Sequence, residues 1–204
     1  MVEQIKNGLK YLVEIMKNEQ FKALTKFGYY SSFAYWKSWN CVGDISFLIE
    51  SNAVDFKTDY VFVALNPAEH PNVNSVLFKN FHSDYAKQND FKLCYALSGT
   101  KFWGSYITDL FKSFVLTRSE KLGDMLKKNP NLVEKDIKSL RYELEILGDK
   151  SILIAIGGDA ERYLKKFFPD RKIVRITHYA DNYHKNSASK EKYRELILGQ
   201  LSKI

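Results

Sequence analysis

The sequence predicts an α/β fold in which a short, mainly parallel sheet of about four strands lies between two layers of helices. Residues 60–65 and 151–156 are near-continuous apolar runs with β-branched side chains, a pattern typical of strands buried on both faces of a parallel sheet. Residues 105–108 and 172–177 fit the same plan. Each run ends at polar residues, and ligands of such sheets bind at the carboxyl ends of the strands.

Composition predicts a single domain spanning residues 1–204. This length is enough for one well-buried core. The chain has 31 basic and 24 acidic side chains, a net charge of +7, which suits a polyanionic partner such as DNA. Biased coding would give the same Lys- and Asn-rich composition, so charge alone leaves both interpretations open.

The two cysteines, Cys41 and Cys94, lack the CxxC spacing of a metal or iron–sulfur site. A reduced, cytoplasmic setting is the default for so few cysteines. The first residues have no apolar stretch typical of a signal peptide, and no apolar run approaches membrane-spanning length. We therefore expect a cytoplasmic monomer with no bound metal and no membrane segment.

The N-terminal region, residues 1–40, is predicted to be helical. A first helix, ending before Gly28, is indicated by four apolar side chains at helical spacing: Ile5, Leu9, Leu12 and Met16. The aromatic stretch that ends at Trp39 fits a second helix, and residues 44–49 fit either an edge strand or a helical turn. Residues 66–100 form a long connection, a common place for binding residues, here His70, Phe78, Phe81, His82 and Tyr85.

The second half of the chain predicts helices between the strands. Residues 118–131 fit a short helix and a loop, and Asn131 with Glu134 resembles a capping box for a longer helix that Gly148 ends. After the 151–156 strand, Gly157 turns the chain into a helix with Asp159 as its N-cap, ending before Pro169. Residues 181–189 form a polar loop, and a final helix buries Tyr193, Leu196, Ile197 and Leu201.

If the four strands are parallel, Asn66, Asp109, Gly157 and His178 lie along one rim of the sheet. The Asn66 amide does not titrate, but it can hold a water or a ligand; Asn-Pro is also a common turn starter. A neutral His178 can donate a hydrogen bond to developing negative charge, or it can simply be bonded to nearby backbone.

In order and spacing, four segments resemble motifs of the uracil-DNA glycosylase superfamily. They are the Asn-Pro motif at 64–67, Thr-Asp-x-x-Lys at 108–112, the strand and glycine at 152–157, and the strand and histidine at 177–180. The resemblance covers residues 58–183. Three departures are visible: Ala64 and Leu65 replace a glycine-containing pair, Asp109 stands where the family has Asn, and no Pro-Ser follows His178.

The resemblance implies a glycosylase that flips a base out of DNA and uses water alone, with no cofactor. It implies that Asn66 positions the water and that His178 stabilises the departing base. It also implies that Pro67, Phe78, Phe81, Asp109 and Gly157 contact the base. The two phenylalanines are candidates either for stacking on the base or for ordinary core packing. The residues that it implies for DNA contact are Lys112, Arg118, Tyr179 and Tyr183.

The expected function is a DNA glycosylase-like hydrolase that releases uracil or another deaminated or damaged base. An acceptor-only Asp109 suits a base that presents an amino group as well as uracil N3–H. The alternative is a non-catalytic nucleic-acid or nucleotide binder of the same fold. A third interpretation is an unrelated α/β hydrolase or interaction protein, because fold does not fix function.

Overall fold

The computed structural model describes residues 18–46, 48, 56–68, 76–84, 88–116, 121–181 and 189–204. Five strands form one sheet in the order β1-β3-β2-β4-β5. They are β1 (Ser31–Phe33), β2 (Lys57–Ala64), β3 (Ser105–Asp109), β4 (Ile152–Ile156) and β5 (Ile173–Ile176). The main helices are α1 (Asp90–Leu97), α2 (Leu122–Lys128), α3 (Pro130–Leu147), α4 (Gly158–Phe167) and α5 (Lys190–Leu201).

The α/β class predicted from the sequence is confirmed, but the sheet has five strands and is mixed. The four predicted strands pair in parallel, β2 with β3 and β4, and β4 with β5. The added strand, β1, pairs antiparallel with β3, with Ser31 opposite Thr108. It lies in the stretch predicted to be a second helix, and that prediction was wrong. All three β1 side chains are buried, because the strand closes the edge of the sheet instead of presenting one face as a helix would.

Helices cover both faces of the sheet because successive strand residues point to opposite sides. Val61 and Val63 of β2 pack in one core with helices α3 and α4. Phe62 and Ala64 pack in a second core with helices α1 and α5. The near-continuous apolar runs of the sequence are thus strands with two buried faces.

The structure of the N-terminal half tests several local predictions made from the sequence. Residues 18–24 are helical and lead into a 3-10 helix at Thr25–Phe27, so the helix ends before Gly28 as expected, while its predicted start lies outside the described residues. Ser46 and Leu48 are helical, which favours a helical turn over an edge strand at 44–49. The long connection 66–100 contains α1, a helix that the sequence pattern did not predict.

The C-terminal helices agree with prediction except at two caps and at Leu196 of α5, which is only half-buried. Helix α3 begins at Pro130, and Asn129 precedes it with a side chain that donates to the Met125 carbonyl; the predicted capping box at Asn131 is therefore wrong. Asp159 is not the N-cap of α4, because Gly157, with φ 96°, holds that position. Gly148, with φ 108°, ends α3 as predicted.

A buried ion pair joins β3 to α3. Lys112 Nζ lies 2.7 Å from Glu143 Oε1, and the two side chains are 5% and 0% exposed. The hydroxyls of Tyr106 and Thr108 donate to the other Glu143 oxygen at 2.9 and 2.8 Å. Lys112 Nζ also donates to the carbonyl of Asp109 at 2.6 Å. The turn that follows β3 is therefore held by one charged group.

We expect Glu143→Gln to destabilise the fold by about 3–5 kcal/mol, because it leaves the Lys112 ammonium buried without a counter-charge. Urea unfolding measures the loss. The matched control is Glu134→Gln on the same helix, where the ion pair with Lys138 is exposed and little change is expected. Equal stability of the two variants would contradict the importance of the buried pair.

Candidate functional site

The strand register places the predicted site positions along one rim of the sheet. Ala64 lies opposite Asp109, and Ile156 lies opposite Ile176. Asn66, Gly157 and His178 follow the ends of β2, β4 and β5 by one or two residues. The rim therefore carries Asp109, Asn66, Gly157 and His178 in the spatial order of their strands.

His178 is held as a neutral imidazole of one defined tautomer. Burial lowers its pKa to about 4, although the nearby Asp181 acts in the opposite direction. The backbone N–H of Ala180 donates to Nδ1 at 3.0 Å, so Nδ1 carries no proton and Nε2 must carry it. Within the described part of the chain, no group hydrogen-bonds to Nε2. His178 thus offers one N–H donor.

Gly157 lies directly beside His178. A Cβ atom built on Gly157 would lie 3.6 Å from the Cβ and 3.8 Å from the Cδ2 of His178. The φ of 96° at Gly157 is a left-handed conformation that favours glycine, and its N–H donates to the carbonyl of Ile176 at 2.8 Å. The structure therefore brings these two predicted residues together.

Asn66 uses its amide nitrogen to fix the turn after β2. Nδ2 donates to the carbonyls of Pro67 and Leu116, each at 3.0 Å, and the Leu116 N–H donates back to the Pro67 carbonyl at 3.0 Å. Pro67 itself is buried. Both amide hydrogens are engaged, so Oδ1 is the atom that can accept from a water. The turn interpretation and the site interpretation are compatible here.

Asp109 is 1% exposed and is bonded to a residue that the sequence pattern did not indicate. Asn80 Nδ2 donates to Asp109 Oδ2 at 2.7 Å and to the Tyr30 carbonyl at 3.0 Å. Burial raises the pKa of Asp109 to about 7, while Asn80 and Lys112 act to lower it. Asp109 therefore exists in both protonation states near neutral pH, as a donor in one and an acceptor in the other.

Strained backbone on both sides of Asn80 sets its position. Phe78 and Phe81 have φ values of 60° and 66°, a left-handed conformation that costs on the order of 1–3 kcal/mol per residue. Phe78 packs in one core, 5.6 Å from the ring of Phe33, and Phe81 packs in the other. Both predicted stacking residues are thus core side chains that anchor the segment carrying Asn80.

Tyr179 points into the protein and not toward solvent. It is 7% exposed, and its ring stacks on His178 with centroids 4.5 Å apart. Its hydroxyl bonds to Asp90, the first residue of α1, which also accepts from the Ser83 N–H at 2.7 Å. Burial raises the pKa of Asp90 to about 6. In this position Tyr179 does not suit the DNA contact that the resemblance implies.

The predicted phosphate contacts also differ from expectation. Lys112 is 5% exposed and paired with Glu143, so its charge is not at the open surface but in the wall of a pocket. Arg118 and Tyr183 lie outside the described residues, as do His70 and Tyr85 of the long connection.

Two site residues, Asn80 and Asp90, were missed by sequence reasoning. Asn80 lies in an aperiodic stretch, and nothing in the local sequence indicates left-handed backbone at Phe78 or Phe81. Asp90 had a usable signal, because Leu93 and Leu97 follow it at helical spacing. A helix predicted there would have placed Asp90 in its first turn.

A second histidine, His82, is fully buried away from the rim. Its Nε2 lies 2.7 Å from Ser32 Oγ, and its Nδ1 lies 3.3 Å from the Val42 carbonyl. Burial lowers its pKa to about 3. His82 is therefore a neutral structural group that ties the long connection to β1.

No protein-family model matches the sequence, and comparison with curated proteins gives no match. None of the helices in the described ranges has the length and apolar character needed to cross a membrane. The same ranges contain no group of three or more His, Cys, Asp or Glu side chains arranged to hold a metal. The functional argument therefore depends on the residues of the rim.

Four of the buried titratable groups act on stability in opposite directions between pH 4 and 6. Asp90 and Asp109 stay protonated in the folded state at pH values where the unfolded chain has released those protons. Their contribution to the free energy of unfolding therefore falls as pH rises. His82 and His178 stay unprotonated in the folded state at pH values where the unfolded chain binds protons. Their contribution to the free energy of unfolding therefore rises with pH. The two effects offset each other.

We expect Asp109→Asn to remove the Asp109 contribution, which in the wild type falls as pH rises. Between pH 4.5 and 6, the free energy of unfolding should then rise with pH more steeply than in the wild type, by about 1.4 kcal/mol per pH unit. Urea unfolding at several pH values measures the slope. Asp170→Asn, at an exposed position, is the control, and parallel profiles for all three proteins would show that Asp109 titrates normally.

Proposed function

We propose that this protein is a DNA glycosylase-like hydrolase that releases uracil or another deaminated or damaged base by cleaving the N-glycosidic bond. The observation that carries the proposal is the state of His178. Its Nδ1 is occupied by the Ala180 N–H, burial keeps the ring neutral, and no residue of the described ranges accepts from Nε2–H. A fixed, neutral donor suits an oxygen that gains negative charge.

In the proposed reaction, the bond between the sugar C1′ and the base nitrogen breaks, and both bonding electrons leave with the base. The oxygen of a water forms the new bond to C1′, and the proton of that water passes to solvent. The Nε2–H of His178 would bond to the departing base oxygen as charge develops. A preorganised donor of this kind contributes about 3–4 kcal/mol of transition-state stabilisation.

Asn66 would position the water without accepting its proton. Its two amide hydrogens hold Pro67 and Leu116, which fixes the direction of Oδ1. A water that donates to Oδ1 keeps its oxygen lone pairs free for attack on the sugar. This role needs the geometry of the amide and not its basicity.

Asp109 would read the edge of the base. Oδ2 is already bonded to Asn80, which leaves Oδ1 for the ligand. An ionised Asp109 accepts from a ring N–H or an amino group, and a protonated one donates to a carbonyl oxygen. A pKa of about 7 makes both forms accessible.

A second candidate is a non-catalytic binder of nucleic acid or nucleotide, and the position of Tyr179 favours it. The ring fills space between His178 and Asp90, and Asp109 is almost completely buried. A flipped base would need room next to these groups. If Tyr179 stays in place when DNA binds, the rim cannot admit a base.

Two substitutions at His178 separate its donor from its structural bond. His178→Asn keeps an acceptor near the position of Nδ1 for the Ala180 N–H but has no atom at Nε2. His178→Gln places an amide N–H near Nε2. We expect His178→Asn to lower the rate of base release about 100- to 1000-fold, while His178→Gln retains more activity and both variants bind DNA as the wild type does.

The measurement is strand scission after alkaline treatment of labelled oligonucleotides that contain uracil, hypoxanthine or xanthine, as single strands and in mismatches. Thermal unfolding checks that both variants fold. Salt-sensitive DNA binding without base release in the wild type would instead support the non-catalytic binder. Equal release by wild type and His178→Asn would remove His178 from the chemistry.

Asp109→Asn should shift the preference toward uracil, because the new amide nitrogen, in the place of Oδ1, can donate to uracil O4. The Asn80 bond can persist, since the new side chain retains an acceptor oxygen. The ratio of uracil to hypoxanthine release measures the shift. An unchanged ratio would place Asp109 outside the base pocket.

A further inference from the structure

A pocket of about 240 Å³ lies beside the rim, where the turn after β3 meets α3. Its wall includes Tyr30, Lys112 and Ser113 on one side and Lys135 and Ser139 of α3 on the other. This pocket is separate from His178, but it lies close to Asp109. The Tyr30 carbonyl accepts from both the Asn80 side chain and the Asp109 N–H.

The charged group at the base of the pocket is Lys112. Its ammonium has three donors, of which one faces Glu143 Oε1 and another the Asp109 carbonyl. In the described ranges, no further acceptor bonds to Nζ. Because Lys112 is only 5% exposed and is held at two points, its remaining donor is oriented in advance and loses little side-chain entropy when it binds an anion.

Two exposed lysines stand at the mouth of the pocket. Lys26 comes from the 3-10 helix and Lys135 from α3, and neither is ion-paired with a described carboxylate. By contrast, Lys138, one turn further along α3, is paired with Glu134 at 2.6 Å. No carboxylate in the described ranges therefore neutralises these two lysines.

The acidic group in the wall, Asp136, is already bonded. Its two oxygens accept from the N–H and the hydroxyl of Ser113 at 2.9 and 2.7 Å. The pocket wall thus has three ammonium groups against one carboxylate, and Glu143 lies behind the wall. With both carboxylates counted, the balance of +1 favours an anion with several acceptor oxygens.

We propose that Lys26, Lys112 and Lys135 form a phosphate-binding site for the nucleic-acid strand whose base reaches the rim. In its reference to a strand, this inference rests on the proposed function. The placement is suitable: the Phe111 N–H donates to the Leu65 carbonyl at 2.9 Å, so Lys112, the next residue, follows the strand end that is paired with the chain bearing Asn66. A free phosphate monoester is the other source of the same chemistry.

The test compares two double variants that carry the same net charge. Lys26→Ala with Lys135→Ala removes the two exposed charges of the pocket, and Lys138→Ala with Lys165→Ala removes two lysines that are already paired with glutamates on α3 and α4. Fluorescence anisotropy measures the Kd of an undamaged single-stranded oligonucleotide over a range of salt concentrations. A second titration uses thymidine 5′-monophosphate.

We expect the pocket variant to bind the oligonucleotide about tenfold more weakly, with a slope of log K against log salt that is smaller by about 0.7 for each phosphate that the variant no longer neutralises. The control variant should keep the wild-type slope. Equal weakening in both variants, or none in either, would overturn the proposal. Loss of monophosphate binding with intact oligonucleotide binding would assign the pocket to a free phosphate and overturn its role on the strand.

Failure of the proposed function is distinguishable from failure of this site. If the wild type releases no base but the pocket variant alone loses salt-sensitive binding, the phosphate site stands and the glycosylase proposal falls. If base release is intact at saturating oligonucleotide and binding is equal in all proteins, the glycosylase stands and the phosphate site falls.

Discussion

The buried ion pair between Lys112 and Glu143 is the interaction on which the geometry of the rim depends. It joins the end of β3 to α3, and Lys112 also holds the Asp109 carbonyl. Burying two charges has a large desolvation cost, so such a pair is weak evidence for stability, but it permits few alternative arrangements. Asp109 takes its position from the strand end that this pair fixes, and Asn80 bonds to it there. The same ammonium faces the pocket beside the rim, so one charged group contributes to both the fold and the proposed phosphate site.

Burial has opposite effects on the two kinds of titratable group near the rim. It keeps the imidazole of His178 neutral and makes the carboxyl of Asp109 easier to protonate, because each group loses the solvation of its charged form. A rim with little fixed charge suits an uncharged base, and it strengthens the interaction between one N–H donor and negative charge that appears only during reaction. Beside the rim, Lys26 and Lys135 add positive charge to the wall of the pocket.

The sequence predicted the four parallel strands and the rim because continuous apolar runs are hard to place anywhere except a buried sheet. It did not predict β1, which has three residues and no periodicity, or α1, which lies in a stretch rich in polar and aromatic side chains. For the site, strand ends indicated which residues share an edge, but not which atoms remain free. That depends on long-range contacts, such as Asn80 with Asp109 and Lys112 with Glu143, whose partners are 29 and 31 residues apart.

The short antiparallel strand β1 also bears on how copies of the protein meet one another. Without it, β3 would be an edge strand with five buried residues in a row, and an open apolar edge pairs readily with other chains. β1 occupies that edge with only three residues. At the opposite edge, β5 carries the exposed Arg175, paired with Glu161, and a charged edge disfavours pairing. The two ends of the sheet are thus protected against intermolecular β-sheet formation and aggregation by different means, one by a covering strand and the other by charge.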